Sequence, residues 1–349
     1  MTPVFDGHND FIQRVVAAGQ DGARIWLEGD GTGHMDLPRM KAGGMVGGFF
    51  AIWIPSPSGP NDAEAVALMQ NPPFALPLPG EIPHDAALPH AFRQAAALKS
   101  LERTGTLDIV TGAAGLRRTI AEGRIAAIMH MEGAEAIRDM DALHLWHGAG
   151  LRSLGPVWSR PTAYAEGVPF AFPAGPDTGG GLTDAGKALV RECNRLRIML
   201  DLSHLNEAGF DDIARLSDAP LVASHSCVHA ICPSSRNLTD RQLRVIADSG
   251  GLVGLNYASS FLRPDGKRLP LEGFETMLRH LDHLLDILGE DGVALGSDFD
   301  GALMPRDLPD AAALPKLTEA MKNHGYGADL IVKISSENWI STLQRTWGG

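Results

Sequence analysis

The chain has 349 residues, of which 44% are hydrophobic and 21% are charged, a balance typical of a soluble globular protein. Its formal charge of −12 argues against nucleic acid and anionic membranes as partners. No run approaches the roughly 20 apolar residues that span a bilayer. The first residues have neither the basic cluster nor the apolar core of a signal peptide. We therefore expect a cytoplasmic protein.

The three cysteines, Cys193, Cys227 and Cys232, do not describe a disulfide framework, because their number is odd and the chain is long. Their spacing also differs from that of a structural zinc site. We expect buried or incidental free thiols in a reducing compartment.

Eight short apolar runs along the chain predict eight β-strands. They cover residues 3–7, 45–54, 125–131, 151–157, 197–203, 220–224, 251–257 and 292–297. Segments with helical periodicity separate most of them, among them residues 183–196, 206–216, 239–247 and 274–288. Alternating strands and helices favour a parallel sheet. Eight such units predict a (β/α)8 barrel, with a doubly wound open sheet as the alternative.

The segment 183–196 illustrates the helix prediction. Thr183 and Asp184 are typical helix-capping residues at its start. The residues expected on one side of this helix are Ala185, Ala188, Leu189 and Cys193.

Two long segments interrupt the alternation of strands and helices. Residues near 54–92 are rich in proline, and residues 160–182 are rich in glycine and proline. In a barrel both would be loops on the C-terminal face, where active sites lie. They are either variable surface loops or the walls of a pocket. We expect residues 1–349 to form one metallohydrolase domain that carries these two loop insertions.

Histidines and acidic residues lie at the ends of five of the predicted strands. In chain order they are His8, Asp10, Glu132, His204, His225 and Asp298. His8 and Asp10 share a face because they are two residues apart on an extended chain. In a barrel all of these strand ends meet at the C-terminal mouth. A single such residue is usually structural, but six at five strand ends predict a functional site.

Three imidazoles and two or three carboxylates form a mixed nitrogen and oxygen ligand set. This set suits Zn²⁺, with Mn²⁺, Co²⁺ and Fe²⁺ as alternatives. A carboxylate such as Glu132 can bridge two ions about 3.5–4 Å apart, and such a pair lowers the pKa of a shared water to about 7. A further carboxylate should take and return the proton, and Asp298 on the last strand fits that role.

Seven motifs occur in a specific order between residue 6 and about residue 301. They are Asp6-Gly7-His8-Asn9-Asp10, Asp36-Leu37-Pro38-Arg39, Glu132-Gly133, Ser203-His204, Ser224-His225, Ser235-Arg236-Asn237 and Gly296-Ser297-Asp298-Phe299-Asp300-Gly301. The ordered set resembles the membrane (renal) dipeptidase family, binuclear zinc peptidases of the amidohydrolase superfamily. Each motif alone is weak evidence, whereas the set covers most of the chain.

The resemblance implies a distorted (β/α)8 barrel, often dimeric, that cleaves dipeptides and tolerates a D-residue at the C-terminal side. It implies two zinc ions per chain, one bound by His8 and Asp10 and the other by His204 and His225. Glu132 would bridge the two ions. A hydroxide between the ions would attack the peptide bond.

Two further residues receive roles from the resemblance. Asp298 would act as the acid and base, and Arg236 matches the arginine that binds the substrate carboxylate. A guanidinium group suits that role because it binds a carboxylate at two points. The alternative for Arg236 is an ordinary loop ion pair.

Trp158 departs from the family pattern, which commonly places a histidine near the scissile bond at this position. The wall that faces the substrate is therefore altered, and Trp158 is either a substrate contact or plain packing. His229, four residues after His225, is either a pocket residue or structural.

Three other functions remain as alternatives. A related amidohydrolase would act on N-acyl amino acids, lactones or β-lactams with the same hydroxide. A metal-binding relative without turnover would have little need of Asp298. A sugar- or nucleotide-binding protein would need a phosphate loop, but the candidate glycines at 179–181 lack the lysine and the flanking pattern of one.

Overall fold

The computed structural model describes residues 1–57 and 59–348. Eleven strands lie within these residues: β1 (Val4–Asn9), β2 (Met45–Trp53), β3 (Phe74–Ala75), β4 (Leu107–Ile109), β5 (Ile125–Glu132), β6 (Leu151–Gly155), β7 (Ala171–Phe172), β8 (Met199–Leu200), β9 (Val222–Ser226), β10 (Leu252–Asn256) and β11 (Val293–Gly296). The first eight helices are α1 (Phe11–Ala18), α2 (Gly22–Glu28), α3 (Leu37–Gly43), α4 (Ala63–Met69), α5 (His84–Glu102), α6 (Ala113–Ala121), α7 (Met140–Ala149) and α8 (Asp184–Leu196).

The remaining helices are α9 (Glu207–Leu216), α10 (Asp240–Asp248), α11 (Ser259–Leu262), α12 (Glu275–Leu288), α13 (Leu314–His324), α14 (Ala328–Val332) and α15 (Asn338–Trp347). Short 3-10 helices cover Gly19–Asp21 and Ala311–Ala313, and a π-helical turn covers Lys333–Glu337. None of the helices in the described ranges combines the length and the hydropathy that crossing a bilayer requires.

Eight of the strands form a closed parallel barrel. One parallel set runs in the order β1, β2, β5, β6, β8, and a second in the order β9, β10, β11. Two backbone pairings join the sets, Asp201 with Val222 and Asn9 with Phe299. Each of the eight predicted runs overlaps one of these strands. The predicted (β/α)8 barrel is therefore confirmed, and the open sheet is excluded.

Strand β4 was not predicted from the sequence. It pairs with residues 125–127 at the start of β5, whereas β6 pairs with the same strand only from Met129 onward. The two short strands thus lie against successive parts of β5. Three residues, Leu107 to Ile109, are too few to show a periodicity that distinguishes a strand from a loop.

Helix α8 begins at the predicted cap but buries a different face. The Thr183 hydroxyl accepts a hydrogen bond from the Gly186 backbone nitrogen at 3.0 Å. Of the four residues expected on one side, Leu189 and Cys193 are buried, whereas Ala185 and Ala188 are exposed. The buried face is completed by Gly186 and Val190 instead, because the stripe at spacings of three and four residues begins one residue later.

The predicted loop near residues 54–92 contains regular structure. Helix α4 lies within this segment. Helix α5 begins at His84, so the last nine residues of the segment are helical. Proline content suggested a loop throughout, but Pro83 only precedes α5 and Pro89 is accommodated inside it. The second insertion contains strand β7, which pairs antiparallel with β3 of the first. The two insertions therefore pack against each other.

The Trp339 side chain, on the C-terminal helix α15, lies inside the barrel beneath the strand ends that carry the site. The Trp339 side chain is fully buried and donates a hydrogen bond from Nε1 to the Leu295 carbonyl at 2.8 Å. A side chain at Gly7 would clash with the Trp339 ring and with the Ser224 carbonyl. Gly7 is therefore needed where β1 passes this tryptophan. All three cysteines are buried and free, as expected.

Candidate metal centre

The strand ends bring all six predicted residues together in one cluster, in which five are buried and Asp298 is half-buried. Their ligand atoms form three overlapping groups, each within 4.8 Å. The groups are His8 with Asp10 and Glu132, Glu132 with His204 and His225, and His8 with His225 and Asp298. Parallel strands place their carboxyl ends at one mouth of the barrel, so residues up to 290 positions apart in sequence meet there.

Glu132 occupies the middle of the cluster and presents one carboxylate oxygen to each side. Its Oε2 lies 3.7 Å from Nε2 of His8. Its Oε1 lies 3.1 Å from Nε2 of His204 and 3.5 Å from Nε2 of His225. Asp10 completes the first side, with Oδ2 at 3.6 Å from Nε2 of His8. The carboxylate therefore separates two groups of donor atoms and belongs to both.

The donor atoms have the spacing and the unfilled valences that a metal ion requires. The Nε2 atoms of His204 and His225 are 3.2 Å apart. Two nitrogens bound at about 2.05 Å to a tetrahedral zinc ion would lie about 3.3 Å apart. Among the described residues, Nε2 of the fully buried His8 has no hydrogen-bond partner. A buried imidazole nitrogen without a partner is costly unless something else binds it. The residues therefore fit a pair of divalent cations.

The electrostatics of the cluster also favour bound cations. Burial opposes charge on His8, but the carboxylates of Glu132 and Asp10 raise its pKa to about 10. Burial raises the pKa of Glu132 to about 8 and also raises the pKa of Asp298. These carboxylates lack enough positive charge nearby to hold them ionised in a buried site. Added cations would supply it.

His204 and His225 present neutral imidazoles. Burial, followed by repulsion from Arg236 and His8, lowers the pKa of both rings well below the usual histidine value. A neutral ring offers a lone pair, which is the form that binds a metal. Their environment is thus suited to coordination rather than to proton transfer.

The backbone at two of these strand ends adopts the left-handed conformation. His204 has φ 69° and Asp298 has φ 61°, and Asp300 follows with φ 66°. Such angles cost a non-glycine residue about 1–3 kcal/mol and are often found at functional sites. The Asp298 amide donates to the His8 carbonyl at 3.0 Å, which fixes this turn against β1. A Cβ atom at Gly301 would clash with Asp10 and Asp298, so glycine is required there.

Hydrogen bonds from behind orient the two neutral histidines. Nδ1 of His225 contacts Oγ of Ser224 at 2.8 Å, and the Ser224 hydroxyl donates to Oδ2 of Asp201. Nδ1 of His204 contacts Oγ of Ser159 at 2.8 Å. These supporting roles were not predicted from the sequence. The serine that precedes His225 was a visible signal, whereas Ser159 lies 45 residues before His204.

Two carboxylates in the cluster are held by amides that sequence analysis also did not identify. Nε2 of Gln13 donates to Oδ1 of Asp10 at 2.7 Å, from the first turns of α1. Nδ2 of Asn256, at the end of β10, donates to Oδ2 of Asp298 at 3.0 Å. The Asn256 side chain is fixed in turn, because its Oδ1 accepts a hydrogen bond from the Ala258 amide at 2.6 Å.

Trp158 lies beside the cluster on the cavity wall. Its ring centroid is 5.7 Å from that of His204 and 5.3 Å from that of Trp53. The side chain lines the cavity that also contains Glu132 and Asp298. The Trp158 side chain therefore packs against Trp53 and also faces the cavity, so the structure is compatible with both of the roles considered from the sequence.

Arg236 is buried and has no carboxylate within 4.0 Å in the described part of the chain. Its Nη2 donates to the His225 carbonyl at 3.1 Å, and its Nε has no hydrogen-bond partner among the described residues. The loop ion pair considered as its alternative is not formed there. His229 lies apart from this cavity, with Nε2 at 2.9 Å from the Ala174 carbonyl.

Both insertions contribute to the cavity wall. Residues 59–62 and Met69 come from the first, and Phe170 comes from the second. Of the two interpretations of these segments, the structure therefore supports walls of a pocket. Carboxylates and the imidazole of His204 line it, together with aromatic rings. This arrangement can hold a small polar molecule against a metal centre.

Known proteins resemble this chain over most of its length. A solved metallo peptidase from Rhodobacter sphaeroides, liganded with a phosphinate mimic of the dipeptide L-Ala-D-Ala, is 59% identical, with a TM-score of 0.97 and 99% of each chain covered. An uncharacterised protein from the pqqA 5′ region of Klebsiella pneumoniae is 43% identical over 73% of this chain and 96% of its own.

A more distant relative is the dipeptidase tcpJ of Claviceps purpurea, which is 27% identical over 97% of this chain and 76% of its own length. The family model described as membrane dipeptidase, Peptidase family M19, matches residues 1–346. The chain therefore belongs to the membrane dipeptidase family.

Proposed function

We propose that this chain is a dipeptidase that works with two divalent cations, zinc in the first instance, shared by the Glu132 carboxylate. The observation that carries this proposal is the division of the Glu132 oxygens between two groups of donors. His8 and Asp10 would hold one cation, and His204 and His225 the other. Membership of a peptidase family gives the substrate class, and the donor groups give the means of activating water.

Bound cations of this kind lower the pKa of water to about 7 and so supply hydroxide at neutral pH. The chain itself must then move one proton from the attacking water to the departing amine. Asp298 has that role in our proposal, because it lies within 4.8 Å of ligand atoms of His8 and His225. Its Oδ2 is held by Asn256, which leaves Oδ1 to accept the proton and return it.

Arg236 would bind the carboxylate end of the dipeptide. Its support is a buried guanidinium group with an unpartnered Nε and with no counter-ion among the described residues. A charged group in that condition gains most from a charged ligand. The contact to the His225 carbonyl fixes the guanidinium group and would hold the substrate carboxylate near the strand that carries this proposed metal ligand.

Trp158 would form the apolar wall beside the scissile bond, in place of the histidine common in the family. An indole ring excludes water from the reacting carbonyl but offers it no charged hydrogen-bond donor. The 5.7 Å between the ring centroids of Trp158 and His204 supports a wall on that side of the proposed centre.

A D-residue at the C-terminal side is part of the proposal. The Rhodobacter relative binds a phosphinate mimic of L-Ala-D-Ala. A phosphinate is tetrahedral at phosphorus and therefore imitates a peptide carbonyl under attack by water. Because that relative is 59% identical over 99% of this chain, we propose that L-Xaa-D-Xaa dipeptides are substrates here as well.

The test is a substrate panel on the zinc-loaded protein. It compares L-Ala-D-Ala and L-Ala-L-Ala with N-acetyl-D-alanine, a lactone and a β-lactam. We expect hydrolysis of the dipeptides, with L-Ala-D-Ala at least comparable to L-Ala-L-Ala. Faster hydrolysis of the N-acyl, lactone or β-lactam compounds would favour the wider amidohydrolase alternative. No hydrolysis of any compound at full metal loading would favour a non-catalytic relative.

A further inference from the structure

Among the described residues, one arginine lines the cavity above the proposed centre, and the proposed function leaves it without a role. Arg268 lies on the segment between α11 and α12 and lines the same cavity as Glu132 and Asp298. The other charged side chains on the described cavity wall are carboxylates: Asp10, Asp62, Glu132, Asp298 and Asp300. Partial burial of a guanidinium group costs free energy, and an interaction partner is needed to offset that cost.

The partners of Arg268 within the chain are neutral. Its Nη1 donates to the Pro60 carbonyl at 2.8 Å, and its Nη2 donates to Oδ1 of Asn61 at 2.6 Å. Within residues 1–57 and 59–348, no carboxylate oxygen lies within 4.0 Å of its nitrogens. Burial lowers the pKa of Arg268, and no neighbouring carboxylate acts in the opposite direction.

Other arginines near this segment are paired, so the condition of Arg268 is not general. Arg263 forms a two-point contact with Asp265, at 2.9 Å from Nε and 2.7 Å from Nη2. Arg306 contacts Glu272 at 2.6 Å. Neither arginine lines the cavity among the described residues. The arginine without a carboxylate is the one that faces the substrate space.

Arg268 is also held in place before any ligand arrives. Two neutral acceptors fix its guanidinium group, and its backbone nitrogen donates to the Met69 carbonyl at 2.9 Å. A fixed guanidinium loses little conformational entropy when it binds an anion, which favours selectivity. The contacts to Pro60 and Asn61 connect Arg268 to the first insertion, so its guanidinium group is a fixed part of the cavity wall.

We propose that Arg268 selects dipeptides that carry an acidic side chain, aspartate or glutamate. This inference rests on the proposed function, in which the dipeptide's own terminal carboxylate is bound by Arg236. The anion left for Arg268 is then a side-chain carboxylate, from either the N-terminal or the C-terminal residue. A charge-assisted contact of this kind changes kcat/KM about 10- to 100-fold relative to a neutral isostere.

The experiment compares isosteric substrate pairs that differ only in charge. One pair is L-Ala-D-Glu and L-Ala-D-Gln, and the other is L-Glu-D-Ala and L-Gln-D-Ala. The kcat/KM ratio within each pair is measured for wild type, Arg268→Gln and Arg268→Lys, with Arg263→Gln as the control. Arg263 lies on the same segment but pairs with Asp265 at the surface.

We expect wild type to prefer the acidic member of one pair about 10-fold or more, and that pair identifies which residue carries the anion. Arg268→Gln should bring the ratio near 1, and Arg268→Lys should keep part of the preference. Arg263→Gln should keep the wild-type ratio. If Arg268→Gln misfolds, a reduced preference in Arg268→Lys and a weakened wild-type preference in high salt test the same contact.

Three results would overturn the inference. Wild type could show no preference within either pair. Arg268→Gln could slow the hydrolysis of both members of a pair equally, which would mean that Arg268 only stabilises the position of the first insertion. In either case hydrolysis of the neutral dipeptides would leave the proposed function intact. Absence of hydrolysis for all four dipeptides would overturn the proposed function and this inference together.

Discussion

Asn256 donates a hydrogen bond from Nδ2 to Oδ2 of Asp298 at 3.0 Å, from the neighbouring barrel strand. No described residue donates a side-chain hydrogen bond to the other oxygen of Asp298. One oxygen of this carboxylate is therefore fixed, which leaves the other available for the proton exchange that we propose. The contact gives Asp298 a defined orientation, which general acid–base catalysis requires.

Asn256→Ala should consequently reduce kcat without removing the metal ions. Loss of a hydrogen bond to a charged group corresponds to about 1.5–3 kcal/mol, or roughly 10- to 100-fold in rate. Steady-state kinetics with L-Ala-D-Ala measure the effect, and metal analysis of the same preparation is the control. An unchanged kcat would show that Asp298 needs no such support.

Asp298→Asn should keep both cations and lose turnover by several orders of magnitude. The asparagine preserves the shape of the side chain but cannot take the proton from the attacking water. Single-turnover kinetics on the metal-loaded variant, with metal content measured in parallel, distinguish the two effects. A rate near that of wild type would mean that another group moves the proton.

Ser224→Ala should weaken metal binding rather than the chemical step. The substitution removes the hydroxyl that connects Asp201 to Nδ1 of His225. Removing a group that orients a metal-ligating histidine typically lowers metal affinity 10- to 100-fold. Competition with a zinc chelator measures that affinity. Ser226→Ala is the matched control, because its hydroxyl lies on the same strand and only approaches Ser203, at 3.5 Å. Equal affinities for the two variants would contradict the role of Ser224.

Trp339→Ala should be strongly destabilising, because the ring is fully buried in the barrel and its Nε1 is hydrogen-bonded to Leu295. Truncation of a buried tryptophan typically costs about 3–5 kcal/mol in the free energy of unfolding. Denaturant titration of the protein without added metal measures it. Leu145→Ala is the control, since Leu145 is 77% exposed and its truncation should change stability by less than about 0.5 kcal/mol.

His280 should make the stability of the protein depend on pH. Burial lowers the pKa of His280 to about 4. The Val228 amide donates to its Nδ1 at 3.1 Å, and its Nε2 contacts the Leu262 carbonyl at 3.0 Å, as a neutral ring requires. Because the pKa is lower in the folded state, the stabilisation is fully present above about pH 6.5 and is lost as pH falls toward 4.

The shift corresponds to roughly 3 kcal/mol across that interval. Denaturant midpoints measured at several pH values should therefore fall more steeply for wild type than for His280→Gln, which cannot be protonated. Parallel pH profiles for the two proteins would show that protonation of His280 does not control this decrease.

The barrel and the strand-end residues were accessible from the sequence because both follow from local patterns. A run such as residues 125–132 reveals its strand by apolar composition and its site residue by the carboxylate that ends it. Parallel topology then places such ends at one mouth. The family resemblance assigned five of these residues to two zinc ions and Asp298 to acid–base catalysis. These roles stay predictions, as do the oligomeric state and the cellular location.

The features that sequence analysis missed depend on contacts between distant segments. Ser159, Asn256 and Asp201 have ordinary neighbours in sequence, and only the closed barrel brings them behind the site. Trp339 gave no local sign that it would fill the barrel interior. The lack of a carboxylate partner for Arg268 among the described residues is likewise a property of the folded cavity, since Arg263 on the same segment is paired with Asp265.

Metal stoichiometry with simultaneous assay of L-Ala-D-Ala hydrolysis tests the central claim most directly. The metal-free protein is titrated with zinc, and bound ions per chain and hydrolysis rate are recorded at each step. We predict saturation at two ions per chain, with full activity only near saturation, and fewer than two tightly bound ions in Glu132→Gln. Hydrolysis that persists without metal, or wild type that saturates at one ion or none, would contradict a shared two-cation centre at Glu132.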